Sequence, residues 1–294
     1  MMIGERIETG SAGVLAPGRW LWLRTIAWVA LLFAVAVAVV SAWPIYDKLA
    51  GEPLRPPPLM FAAASVALIY LAYTAAVWFG EKRRPDELEP SALAFDLFAG
   101  LVVGLAMFCA VFLSLRLIGA YAAAPGHGPN WPRAVAFNLL TGLVEELVFR
   151  AIVFRLLMRA FGVWPALALS AALFGGLHMI NPNASPAAAV AIAVEAGLML
   201  AAFYLLTGRL WMSIGVHAAW NFAQGSIFGA RVSGLAPGGS LFVSAPRPGV
   251  PAIVSGGAFG PEASLPAMFV GTAVFVVVIG YLAWRSGRGD LRAG

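Results

Sequence analysis

The chain has 294 residues, of which 61% are hydrophobic and only 11% charged, against roughly 25% charged in an ordinary soluble domain. So little charge cannot cover the surface of a water-soluble globule, so the composition excludes one and specifies a polytopic membrane protein. The net charge of +5 comes without an aromatic-interleaved basic patch, which excludes a nucleic-acid partner, and the single cysteine excludes an intrachain disulfide.

Apolar windows of about 20 residues predict spanning helices. In chain order, a polar segment 1–19 reads as a cytoplasmic tail and is followed by a first span at 20–43. That run is too long for a signal-peptide core and has no small-residue cleavage site after it, so it is expected to be retained. Further spans are predicted at 59–79, 92–118, 133–158, 163–181, 187–206 and 209–229. A connection rich in Gly, Pro and Ser follows at about 230–265; its "SGGAFGPEAS" stretch reads as a re-entrant turn or a loop. The last span is predicted at 266–284, ahead of a short tail over 286–294. The expected fold is therefore an all-α polytopic membrane helical bundle of about eight transmembrane helices, one domain over 20–285. Trp20, Trp43, Trp78, Trp131 and Trp211 lie near predicted span ends, where an aromatic belt belongs. Cys109 lies in an apolar run and reads as a small hydrophobe.

Basic residues set the orientation. With the N-terminus inside, the inner segments carry Arg6, Arg19, Arg24, Lys82, Arg83, Arg84, Arg155, Arg159, Arg209, Arg285, Arg288 and Arg292. The outer segments carry half as many: Lys48, Arg55, Arg116, Arg133, Arg231 and Arg247. This excess predicts both termini in the cytoplasm.

The polar side chains expected at membrane depth are few. They are Asn138, Thr141, Glu145, Glu146 and Arg150 on the fourth span, His178 on the fifth, Glu195 on the sixth, and His217, Asn221 and Gln224 on the seventh. A charge at the bilayer centre costs about 2.5–3.5 kcal/mol on insertion scales, so such residues mark function or pairing. Glu146 and Arg150 are four apart, acid first, which is the favourable order for an ion pair. That pair neutralises itself and leaves Glu145 as the unpaired carboxylate. In "FGGLH", Phe174 and His178 share a face, and the two glycines allow close approach of a neighbour. In "HAAWN", His217 and Asn221 share a face. At about 1.5 Å of rise per residue, Glu145, His178 and Asn221 lie roughly 18–22 Å from the inner ends of their spans, with His217 about a turn lower. Acid, imidazole and amide groups from three helices thus aim at one buried volume, the composition of a hydrolytic site.

EExxxR, then FxxxH, then HxxxN, in that order on successive predicted helices, resembles the CPBP family of intramembrane proteases. This group holds type II CAAX-prenyl endopeptidases and bacterial relatives linked to bacteriocin processing or self-immunity. The resemblance covers about residues 133–229, a third of the chain, which would be the catalytic core. It implies a membrane-embedded peptidase in which Glu145 activates a water with help from His178, while His217 and Asn221 stabilise the oxyanion. Glu146 and Arg150 would hold the acidic motif in place, with Phe174 as packing support. The family reaction needs no acyl-enzyme and no metal. The compact, alanine-rich chain resembles the bacterial members, which implies a multi-pass protein of the bacterial inner membrane acting on a membrane-associated peptide or protein. No residue reads out a prenyl group.

Two alternatives stay open. Glu145, His178 and His217 are also the ligand types of a zinc site completed by water, although no HExxH pair is present. The cluster could instead serve a non-catalytic immunity factor, scaffold or transporter. Glu195 is expected to make a polar contact between helices, Gln224 to be structural, and Glu262 to be a solvated loop carboxylate with substrate gating as its functional alternative. "GRGD" at 287–290 with "YD" at 46–47, and "PGGS" at 237–240, imitate aspartyl and serine sites but fall outside the spans.

Overall fold

The computed structural model describes residues 3–49 and 56–290. Arg55 and Arg292, and the side chains of Trp43 and Arg288, lie outside the described part. Two helices open the bundle, α1 (Leu21–Val40) and the short α2 (Ala42–Lys48), followed by α3 (Pro58–Ala76) and α4 (Leu93–Leu117). A strand, β1 (Tyr121–Pro125), leads into α5 (Trp131–Glu146), which continues through a π-helical stretch at Leu147–Phe154 into α6 (Arg155–Phe161). Next come α7 (Val163–Leu177) with a 3-10 turn at His178–Ile180, then α8 (Pro186–Ile192), a π-helical stretch at Ala193–Leu198, and α9 (Met199–Thr207). After α10 (Trp211–Phe222) the chain forms β2 (Phe242–Pro246), α11 (Ala252–Ser255) and the long α12 (Leu265–Asp290).

Local chemistry sets several of these boundaries. Pro132 occupies the first turn of α5, where its missing N–H costs nothing, and the Asn130 side chain accepts from the Arg133 amide at 3.2 Å. Pro186 and Ser185 start α8 in the same way. Gly208, at φ 73°, ends α9 in the left-handed region that side-chain-bearing residues avoid.

Six helical runs among the described residues are long and apolar enough to cross a membrane: 21–38, 58–81, 86–117, 163–180, 186–207 and 265–287. The protein is a multi-pass membrane helical bundle. The other two predicted spans are also helical, at 131–161 and 211–227, but are not among the six. The first carries Glu145, Glu146 and Arg150, whose charges lower its apolar signal, and the second, which carries His217, Asn221 and Gln224, is also shorter than the roughly 20 residues a span needs.

The bundle is arranged around α10, which packs most extensively on α4 and next on α5. Gly100 and Gly104 on α4 and Gly215 on α10 allow the backbones to meet: a Cβ on Gly104 would run into the Val216 backbone, and one on Gly215 into the Leu97 carbonyl. Of the two glycines in "FGGLH", only Gly175 meets a neighbour, the Ala189 carbonyl of α8; Gly176 has nothing within 4 Å.

The connecting segments are more ordered than their composition suggests. β1 and β2 pair antiparallel with Tyr121 opposite Pro246 and Pro125 opposite Phe242, so the 230–265 connection holds a strand and a helix over one end of the bundle. At the other end, residues 3–19 are docked: Leu15 is fully buried, Arg159 donates to the carbonyls of Gly10 and Leu15, and Arg155 donates to that of Thr9. Segment 1–19 is therefore not a free tail over the residues described. Arg83 and Arg155, counted above among the charges of the inner segments, are buried in a network. Arg155 is paired with Glu81 at 2.7 Å, and Arg83 with Glu81 and Glu87, both at 2.7 Å. Trp28 and Tyr73 donate to the same carboxylates. Asp47 of the "YD" decoy pairs with Arg133 instead.

The α4–α10 contact gives a paired prediction. Gly104→Ala should cost about 1–3 kcal/mol by overpacking, whereas Gly176→Ala should be neutral or slightly stabilising by helix propensity. Thermal unfolding in detergent separates the two; equal melting temperatures would contradict the packing described.

Candidate functional site

Glu146 is the last α-helical residue of α5, and its carboxylate is fully buried. One oxygen, Oε1, accepts from His217 Nδ1 of α10 at 2.9 Å; the other, Oε2, lies 3.1 Å from Arg150 Nε. Arg150, on the π-helical stretch and 1% exposed, donates from Nη2 to the Ala196 carbonyl at 3.0 Å. Its guanidinium also lies 4.7 Å from the centre of the Phe174 ring. The expected i,i+4 pair forms, and it extends further than a self-neutralising pair. Through Glu146 and Arg150 it links α5, α7, α10 and the turn between α8 and α9.

The two histidines are oriented by the same device. With Nδ1 donating to Glu146, His217 is left with Nε2 as the ring nitrogen uncommitted to Glu146. That atom faces Glu145 Oε2 at 3.8 Å, beyond a hydrogen bond and at a separation that a water bridges. The Glu145 side chain is 32% exposed, in contrast to its buried neighbour. His178, on the 3-10 turn that ends α7, donates from Nδ1 to the Phe174 carbonyl at 2.8 Å, again leaving Nε2 free. The Phe174 ring forms the wall between them, 4.8 Å from the His178 ring and 6.3 Å from that of His217. Asn221, one turn along from His217, makes no side-chain hydrogen bond among the described residues.

His178, His217 and Asn221 share a small cavity with Glu195, Ser233 and Glu262. About 30 Å³ of it is open to water-molecule centres, and one water needs roughly 10–15 Å³ of such space, so it holds about two. Glu145 is not part of its wall and reaches it only by way of His217. Glu145 and His178, expected side by side, do not hydrogen-bond among the described residues. Nor do Glu145, His178 and His217 close into a metal-holding group: among the described residues no three His, Cys, Asp or Glu side chains do.

Two carboxylates given bland roles from sequence line this cavity. Glu262 is not a solvated loop residue: it is 2% exposed and accepts from the Ser233 amide, which a left-handed backbone at φ 48° turns toward it. Burial pushes its carboxyl up to about 7. Glu195 is also 2% exposed, and its Oε2 has no hydrogen-bond partner. Gln224 acts structurally, donating from Nε2 to the Arg231 carbonyl at 2.5 Å. The position of Glu195 in an apolar span was a usable signal; for Glu262 the sequence carries none, because the fold of the 230–265 connection decides it.

Residues 127–223 match the model of a protease family described as "Rce1-like: Type II CAAX prenyl endopeptidase Rce1-like", a match that supports the CPBP membership implied by the motifs. No curated protein and no solved structure matches the chain.

The two adjacent glutamates should separate in a stability measurement. Glu146→Ala leaves Arg150 buried and uncompensated and should cost about 3–5 kcal/mol, while Glu145→Ala should stay within about 1 kcal/mol. Thermal unfolding of the two variants in the same detergent checks this, and similar losses would contradict it.

Proposed function

Starting from the membership of residues 127–223 in the Rce1-like family, we propose that the chain is a membrane-embedded endopeptidase of glutamate type. It hydrolyses a peptide bond in a membrane-associated protein or peptide with a water activated by Glu145. The observation that carries this reading is the Glu146–His217 hydrogen bond, which turns His217 Nε2 toward Glu145 beside a cavity with room for water.

Glu145 takes a proton from the water as its oxygen attacks the scissile carbonyl, and the free Nε2 of His178 helps to orient that water. Charge then develops on the carbonyl oxygen. In its protonated form His217 donates to it from Nε2 while Glu146 holds Nδ1, and the uncommitted Asn221 amide supplies a second donor. Arg150 and Phe174 do no chemistry in this scheme; they keep Glu146 and both imidazoles in place. Glu145 is partly exposed and faces His217 Nε2, whereas Glu146 is sealed and spent on two partners.

A zinc reading with Glu145, His178 and His217 as ligands is favoured by one observation. Each ring has its Nδ1 held by an oxygen acceptor, the arrangement that prepares Nε2 for a metal. Against it stands the spread of the three side chains.

The reading is tested with the purified protein in detergent, comparing wild type with Glu145→Ala and His178→Ala on a panel of membrane-associated peptides. Each substitution should lower cleavage about 10²–10⁴-fold, the range for losing a general base or its partner. Equal cleavage by all three would overturn the assignment. Dialysis against a chelator should leave the rate unchanged; a loss restored by zinc would establish the zinc reading instead.

A further inference from the structure

Peptide hydrolysis needs a proton at two places: one leaves the attacking water and one must reach the departing nitrogen, which is too basic to leave as an anion. Glu145 answers only the first need. The wall of the cavity that His217 lines holds two further carboxyls, Glu195 and Glu262. Glu195 sits on the π-helical stretch between α8 and α9, fixed because Gly271 of α12 packs directly on its backbone. Glu262 arrives from the turn Pro261–Ala263 just ahead of α12, and lies close enough to Glu195 for their charges to repel.

The groups facing the pair leave it short of positive charge. Glu195 faces Arg150 and Glu262; Glu262 faces Glu195, His217 and Tyr121. Arg150 pairs with Glu146 through Nε, with Nη1 making no hydrogen bond among the described residues, and His217 is shared between Glu146 and Glu145. Two buried carboxyls lining one cavity, with Arg150 paired to Glu146 and His217 shared by the other two acids, do not both ionise, so the pair retains a proton. Burial pushes Glu262 up to about 7 even though the Ser233 amide pulls the other way, so the proton is available near neutrality.

We propose that the Glu195/Glu262 pair is the general acid of the reaction, giving its proton to the leaving nitrogen across the water-filled cavity that it shares with His178, His217 and Asn221. This rests on the peptidase reading above. In the first step the water oxygen bonds to the carbonyl carbon and a water proton passes to Glu145. In the second the C–N bond breaks, its electron pair stays on nitrogen, and the pair's proton joins that nitrogen so that a neutral amine departs. The proton held by Glu145 then returns through the cavity water to the pair, and no other reactant is consumed. Base and acid thus act from two sides of the imidazoles, as a reaction with two proton transfers requires.

The experiment compares a peptide cleaved by the wild type with its depsipeptide analogue, in which an ester replaces the scissile amide and the leaving alcohol needs less protonation. Glu195→Gln and Glu262→Gln should lower kcat on the amide by about 10²–10⁴-fold, with a much smaller loss on the ester and KM little changed. Because the acid must be protonated, the wild-type rate on the amide should fall as pH rises through neutrality, and this limb should disappear in the variants. Equal losses on amide and ester, or none on either, would overturn the proposal. Infrared spectra of the wild type at neutral pH should show the carbonyl stretch of a protonated carboxyl, removed by Glu195→Gln or Glu262→Gln; its absence from the wild type would overturn the proposal without any substrate. Glu145→Gln keeps the two readings distinct. If it cleaves as fast as the wild type, the assignment of Glu145 as the base fails, whereas if it is inactive beside active pair variants, only the role of the pair fails.

Discussion

The fully buried Glu146 carboxylate is shared between an arginine and a histidine. Buried charges are tolerated only when paired and hydrogen-bonded. Once Glu146 is sealed, Arg150 must stay beside it and His217 must turn Nδ1 toward it. Everything else in the candidate site follows from those two commitments. Arg150 reaches across to the Ala196 carbonyl and lies over Phe174, so the turn bearing Glu195 and the wall beside His178 are fixed relative to α5. His217 is left with Nε2 directed at Glu145. Of two adjacent acids, Glu146 is sealed between two partners and Glu145 stays partly exposed.

The helical run that carries these acids is pinned twice. Near its other end Arg155 is buried against Glu81, in a network that also takes in Arg83, Glu87, Tyr73 and Trp28. Between the two anchors the backbone runs as a π-helix from Leu147 to Phe154. The same wide geometry recurs at Val77–Glu81, Ala193–Leu198 and Ala223–Ile227. Each of these stretches holds a buried ionisable or amide side chain: Glu81, Arg150, Glu195 or Gln224. Such π-helical insertions are uncommon and concentrate at functional sites.

Much of this was legible in the sequence, for reasons that also explain what was not. Long apolar runs such as 163–180 and 265–287 report their environment directly, because lipid demands apolar side chains for the whole length of a span. The Glu146–Arg150 pair was legible because i,i+4 geometry is a property of one helix. The Glu146–His217 bond was not, since it depends on the register of α10 against α5, where Gly142 lies against the Ile214 carbonyl and Ala218. Depth counting put Glu145, His178 and Asn221 level with His217 below them, yet His217 is the imidazole that reaches Glu145. Rise per residue fixes height along a helix and says nothing about its rotation. Glu262 was the least legible, because its burial is decided by a loop that folds back under its own turns. Arg83 and Arg155 show the converse: as charges of the inner segments they support an orientation, and as buried ions they hold the bundle together.

The central claim is that acid and imidazoles from separate helices act as one reacting unit although Glu145 and His178 do not touch. A double-mutant measurement of kcat/KM addresses it most directly, with Glu145→Gln, His178→Gln and the combined variant assayed on one cleaved peptide. Residues that act as a unit are strongly non-additive, so the double variant should be no slower than the worse single variant. Losses that add in free energy, or single variants as fast as the wild type, would contradict the account.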